Sequence, residues 1–319
     1  ILPDVENDDD VGFYSELNLD VSMSATLDNG MAVTAAADVD ELDAVEGGTA
    51  AGVTLTIATE NLALIYGDTT FAAEDYSTAV GSMDADGDKA EQDGELVLKA
   101  AAEFNGITAA VSYELEDITG DTTGAGNLSF GAGAAVGMFN VALAYQSGDL
   151  ASLSADTQSE MYGVKAGFTV AGADIAVGYF TDETADLQST GISASYPVGP
   201  VTLAASYVME TVAGADGDAN WDVSAAYAAN NVTATVKTDE SDDWAIEGTY
   251  DLGMGLKVAA GLADAGDDYY VGATYDLGGG ATLLASYADD SDGDEVAGDN
   301  DIGAQDYQVG TTIQVSFKF

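Results

Sequence analysis

An all-β fold, and within that class a transmembrane antiparallel β-barrel of about 16 to 20 strands, is the architecture this sequence predicts. Three observations predict it. Segments of strand length alternate between apolar and small or polar residues, short turns of hairpin chemistry recur between them, and aromatic rings fall at two levels along the strands.

Taken in chain order, the first strand reads from about Phe13 to Leu27. Val21, Met23, Ala25 and Leu27 form one face and Ser22, Ser24 and Thr26 the other, and Asp28-Asn29-Gly30 supplies the turn. Val53, Leu55 and Ile57 alternate with Thr54 and Thr56, after which Leu64 to Asp68 runs into a long polar segment. Asn105-Gly106 introduces Ile107, Ala109, Val111 and Tyr113, and Val141, Leu143 and Tyr145 repeat the pattern. Ala171-Gly172-Ala173, Pro197 to Pro200 and Asn230-Asn231 mark further turns, the second opening on Val201, Leu203, Ala205 and Tyr207. Two near copies follow, Glu247 to Asp264 and Gly272 to Asp289, the latter turning at Gly278-Gly279-Gly280. The last strand, Thr312 to Phe319, sets Ile313, Val315, Phe317 and Phe319 against Thr312, Gln314, Ser316 and Lys318.

Short turns are thus expected at one end of the strands and long Asp-rich loops, such as Asp84 to Glu95 and Asp289 to Asp301, at the other. Nine hairpins plus the terminal strand make nineteen. An odd number leaves the first and last strands parallel, so either a further strand lies upstream of Ile1 or one strand too many has been read.

Composition narrows the chemistry. Among 319 residues, 57 Asp and Glu face 6 basic residues, all Lys. With no Arg, His or Cys there is no Ser-His-Asp or Cys-His triad, no zinc site of the usual ligand set, no haem or iron–sulfur ligation by those residues and no disulfide. A net charge of −51 excludes nucleic acid as a partner. At 47% apolar and 20% charged, the chain should fold rather than remain disordered. No apolar run of about 18 residues predicts a spanning helix. The chain starts on Ile1 without a basic or apolar leader, so a signal peptide, if there was one, is expected to be gone already.

The rings discriminate between a soluble sandwich and a membrane barrel. Phe104, Phe168, Tyr196, Tyr227, Tyr250 and Tyr275 sit beside short turns, and Tyr113, Tyr179, Tyr207 and Tyr287 at the far ends of the following strands. About 10 residues at about 3.3 Å each, tilted by about 40°, span roughly 25 Å, the height of a lipid-facing band between two aromatic girdles. Lys99, Lys165, Lys237, Lys257 and Lys318 all take the parity opposite the apolar set, where a wet interior tolerates charge. Trp221 and Trp244 open strands and read as interfacial anchors.

The acidic loops, the YDLGGG turn at Tyr275 to Gly280, Leu64-Ile65-Tyr66-Gly67-Asp68 with its long following segment, and the terminal VSFKF resemble the general porins of Gram-negative outer membranes, particularly those of photosynthetic purple bacteria. The resemblance implies a single barrel over 1–319 in a homotrimer, passing small hydrophilic solutes and ions by diffusion, in contact with outer-membrane lipid and lipopolysaccharide. It implies Phe319 as a signal to the outer-membrane assembly machinery. It also implies a loop folded into the pore as the acidic half of a constriction; here 68–94 matches, with Glu74, Asp75, Asp84, Asp86, Asp88, Glu91 and Asp93. The family's facing arginines have no counterpart, and the five strand lysines are the substitutes this chain offers. A lumen of this charge is expected to prefer cations.

Asp84-Ala-Asp86-Gly-Asp88 and Asp290-Ser-Asp292-Gly-Asp294 space carboxylates as a Ca²⁺ ligand set would, though solvated acidic loops are the commoner use of that pattern, and neither is an EF-hand. No cofactor is required. Asp242-Asp243 and Asp267-Asp268 lack a nucleophile or oxyanion pattern beside them, so no enzyme is expected. A secreted or surface-layer Ca²⁺-binding β-sandwich adhesin is the alternative; it explains the acidic loops but not the girdles.

Overall fold

The computed structural model describes residues 20–38, 52–83, 96–116, 127–147, 160–217, 219–289, 301–302 and 307–318. The strands are β1 (Asp20–Thr26), β2 (Ala32–Asp38), β3 (Val53–Ala58), β4 (Leu62–Gly67), β5 (Leu96–Phe104), β6 (Ile107–Glu116), β7 (Leu128–Val136), β8 (Phe139–Gln146), β9 (Met161–Val170), β10 (Ala173–Asp182), β11 (Leu187–Val198), β12 (Val201–Val212), β13 (Ala215–Asp216), β14 (Asn220–Ala229), β15 (Val232–Asp239), β16 (Trp244–Gly253), β17 (Leu256–Ala263), β18 (Asp268–Gly278), β19 (Ala281–Asp289), β20 (Asp301–Ile302), β21 (Tyr307–Gln308) and β22 (Gly310–Phe317).

All but β20 and β21 form one 20-stranded antiparallel sheet in which each strand pairs with its sequence neighbour, except that β14 pairs with β12 past the short β13 and β22 pairs with β19. Setting aside the two-residue β13 leaves nineteen long strands. Among the described residues β1 and β22 share no pairing, and strict antiparallel alternation makes them run the same way. The first strand is described from Asp20; Phe13 to Leu19 and Phe319 lie outside the described residues.

Register divides the side chains into two faces. The row Ile65–Lys99–Ser112–Ser129–Gln146–Met161 is one example of the inner face, passed from β4 to β9 by direct pairs. On the other face Leu64, Leu98, Val111, Phe130, Leu143 and Val164 are all well exposed although large and apolar. A soluble protein hides such a surface; here it runs over strand after strand, as it must where hydrocarbon is the solvent.

The girdle rings keep to that outer face. Phe139 and Phe168 are register partners with centroids 5.6 Å apart near the short turns, and Tyr269 and Tyr287 lie 6.0 Å apart near the other end. Trp221 pairs with Tyr207 at that second level.

The short turns follow the expected chemistry. Asn105-Gly106 and Asn230-Asn231 have φ of 53° and 77°, and 53° and 64°, which suits a two-residue turn matched to the twist of the strands. All odd-to-even hairpins up to β12 turn at this end. The opposite end differs from the expectation of uniformly long loops: 183–186, 240–243 and 264–267 are tight turns as well. In the first of these Asp182 Oδ1 accepts from the Thr184 and Ala185 N–H groups at 2.9 and 2.8 Å, so one carboxylate satisfies the reversal.

Candidate functional site

Gly67 ends β4 at φ +129°, where a Cβ would overlap the Val53 carbonyl, and here the chain leaves the sheet. Asp68 fixes the exit: its N–H donates to Val53 O at 3.1 Å and its Oδ2 accepts from Gly52 N–H at 2.9 Å. From Thr70 to Met83 the segment lies across the inner face. Two wall serines hold it, Ser112 Oγ accepting from Ala72 N–H at 2.9 Å and Ser129 Oγ from Ala73 N–H at 2.7 Å. Glu74–Tyr76 is a single 3₁₀ turn.

The wall opposite is cut to fit. Gly131 on β7 lies under Tyr76 and Ala72, Gly163 on β9 under Thr78, and Gly178 on β10 and Gly191 on β11 under Val80 and Met83; a Cβ at any of them would collide with the segment. Gly81 in turn rests on Ser206 of β12. Around this seat Phe71, Val80 and Met83 pack with Val97, Met161, Phe180, Leu187 and Val208 in a buried apolar cluster. The segment is thus a packed layer against the wall from β6 to β12.

Lys99 is the electrostatic anchor. Its ammonium, on a side chain only 5% exposed, lies 3.0 Å from Asp75 Oδ2 and donates to Asp75 Oδ1 at 3.1 Å and Thr70 Oγ1 at 2.9 Å. Thr70 Oγ1 donates in turn to Asp75 Oδ1 at 3.0 Å. Lys165, Lys237 and Lys257 are on the same inner face: register pairs Lys165 with Gly178, Lys237 with Ser224, and Lys257 with Asp251 and Thr274. Lys318 follows β22, its N–H donating to Gly280 O at 2.9 Å. The five lysines are spread around the wall, and only Lys99 reaches the segment through a salt bridge among the described residues.

The inner face carries more carboxylates than lysines. Glu103, Glu114, Asp174, Glu210, Asp222, Asp239 and Glu247 all take its parity. Several are held by neighbours: Glu210 accepts from Ser189 Oγ at 2.9 Å, Asp174 from Thr169 Oγ1 at 2.5 Å, and Asp222 from Ser206 Oγ. Below Gly81, Asn140, Thr169, Asp174, Ser193, Ser206 and Asp222 line a hollow of about 450 Å³.

Of the acidic residues expected in the constriction, Glu74 and Asp75 are on the packed segment. Asp84, Asp86, Asp88, Glu91, Asp93, Asp290, Asp292 and Asp294 lie outside the described residues. Among the described residues no group of three or more acids, His or Cys is arranged to hold a metal.

One inner-face feature is absent from the sequence reading. The β20–β21 hairpin sets Tyr307 against Tyr270, centroids 5.2 Å apart, and Tyr270 OH donates to Glu247 Oε2 at 2.8 Å. The signal available was Gly261 and Gly272, two bare positions in otherwise well-formed strands.

A family model of Gram-negative porins matches residues 4–295. Among solved structures, a triple mutant of the Rhodopseudomonas blastica porin is similar at 13% identity over 69% of this chain and 83% of that one, TM-score 0.49. A second mutant of that porin is similar at 12% identity over 88% and 94%, TM-score 0.48. No curated protein sequence matches the chain.

Proposed function

The chain belongs to the Gram-negative porins, and from that premise we propose that it is a passive diffusion channel for small hydrophilic solutes and ions, cation-preferring, and not an enzyme. It is an outer-membrane protein that crosses the bilayer by strands. The observation that carries the channel reading is the packed segment from Thr70 to Met83, seated on the inner wall where it occupies lumen cross-section.

Cation preference is supported by the charge on that wall. Lys99 is neutralised by Asp75, and the seven inner-face carboxylates outnumber the other four lysines, so the remaining field is negative. Clefts lined by one sign of charge concentrate the opposite ion. In this reading residues 1–319 form one barrel and 68–94 the constriction. Homotrimer formation, contact with lipopolysaccharide, Phe319 as an assembly signal, and Ca²⁺ at the two Asp-Xaa-Asp-Gly-Asp loops belong to the same proposal. The β-sandwich adhesin is not favoured: the strands make one continuous sheet, not two packed ones.

Swelling of liposomes containing the purified protein tests the channel. Uncharged sugars of small size should enter and larger ones be excluded at a sharp threshold. No swelling with any sugar contradicts the reading.

A further inference from the structure

We propose that the β20–β21 hairpin is a second inward element of the pore, narrowing the lumen from a different wall than the Thr70–Met83 segment and presenting Glu247 there as a second selectivity carboxylate. The proposal rests on the channel reading.

On the inner face of β17 to β19 four small residues, Ala259, Gly261, Gly272 and Ala288, adjoin one another. Left bare, they would leave the lumen wide on this side. Two tyrosines cover them instead. Tyr270 extends its ring over Gly261, its own cross-strand partner, and Tyr307 lies over Gly272; a Cβ at either glycine would strike the ring. Tyr307 is 5% exposed and Tyr270 4%, a degree of burial usual in a core and unusual on a pore wall. With Ala259 and Ala288 they form a second buried cluster, separate from that under the first segment.

Tyr307 belongs to no wall strand. It precedes β22, and the backbone swings at Gly310, φ +90°, to lay the hairpin on the sheet. Burial pushes the Tyr307 phenol above its ordinary value. The hydrogen bond from Tyr270 holds Glu247 in one place, as a filter charge must be held to act on passing ions. The first segment covers the wall from β6 to β12 and the hairpin covers β17 to β19, with the inner faces of β14, β15 and β16 between them. Gln308, beside Tyr307, is exposed.

Planar-bilayer recording of three variants tests this. Gln308→Lys places a charge on the exposed side of the hairpin and should lower the cation-to-anion permeability ratio roughly two-fold. Ser241→Lys, on an exposed turn at the same end of the sheet, should leave the ratio unchanged. Tyr307→Ala should raise single-channel conductance on the order of 1.5-fold. Normal wild-type channels with the Gln308→Lys ratio unchanged, or shifted no more than that of Ser241→Lys, overturn the second element. Wild-type protein that opens no channel overturns the channel reading itself.

Discussion

Lys99 and Asp75 meet at 3.0 Å, joining the fifth strand to the one 3₁₀ turn of the inward segment. A lysine facing such a segment across an opening would set up a transverse field; in contact with it, the same lysine serves as a tether. Lys99→Met should therefore loosen the segment. Removing one partner of a buried ion pair costs about 3 to 5 kcal/mol, and the exposure of Asp75 at 36% reduces this to roughly 1 to 3 kcal/mol. A guanidinium midpoint shift with noisier single-channel current is the expected outcome.

Gly163 and Gly167 stand two inward positions apart on β9, and they make opposite predictions. A Cβ on Gly163 overlaps Thr78, whereas one on Gly167 meets only Ile175 O at 3.7 Å. Gly163→Ala should push the segment off the wall into the lumen and lower conductance. Gly167→Ala should conduct as wild type, and equal effects from both would contradict the seating described.

Adjacent residues of β9 test which face meets lipid. Val164, 41% exposed, is on the outer face and Lys165 on the inner. Val164→Lys should cost about 2 to 4 kcal/mol in folding into bilayers, and Lys165→Leu should cost little. Unfolding titrations in lipid vesicles measure both.

The β9–β10 turn carries Ala171 at φ 51°, a conformation that penalises a Cβ by roughly 1 to 2 kcal/mol. Ala171→Gly relieves this at some entropic cost and should stabilise by about 0.5 to 1 kcal/mol. Asn230, in the equivalent place at φ 53°, already tolerates it, so Asn230→Ala should destabilise by a similar amount.

Strand parity was legible because it is local: Val141, Leu143 and Tyr145 against Ala142 and Ala144 reveal two environments without knowledge of any partner strand. The turns were legible for the same reason. What could not be read was the fit between distant parts. Nothing local marks Ser112, Ser129 or Gly163 as contact points, and only the fold brings Ala72, Ala73 and Thr78 onto them. Lys99 was recognised as facing inward, but its contact with Asp75 depends on where the segment turns. Tyr307 was hidden in another way, since two residues of strand in a polar connection give no periodicity to detect. The tight turn at 183–186 escaped because an Asp-rich stretch reads the same whether it is a long loop or an Asx turn.

The central claim is a channel whose negative inner wall favours cations, and the reversal potential across a planar bilayer under a salt gradient tests it most directly. In dilute salt near 0.01 M, where the screening length is about 30 Å, the potential should be strongly cation-selective; near 1 M, at about 3 Å, the preference should largely vanish. Anion selectivity in dilute salt, or a preference that does not change between the two, would contradict the account.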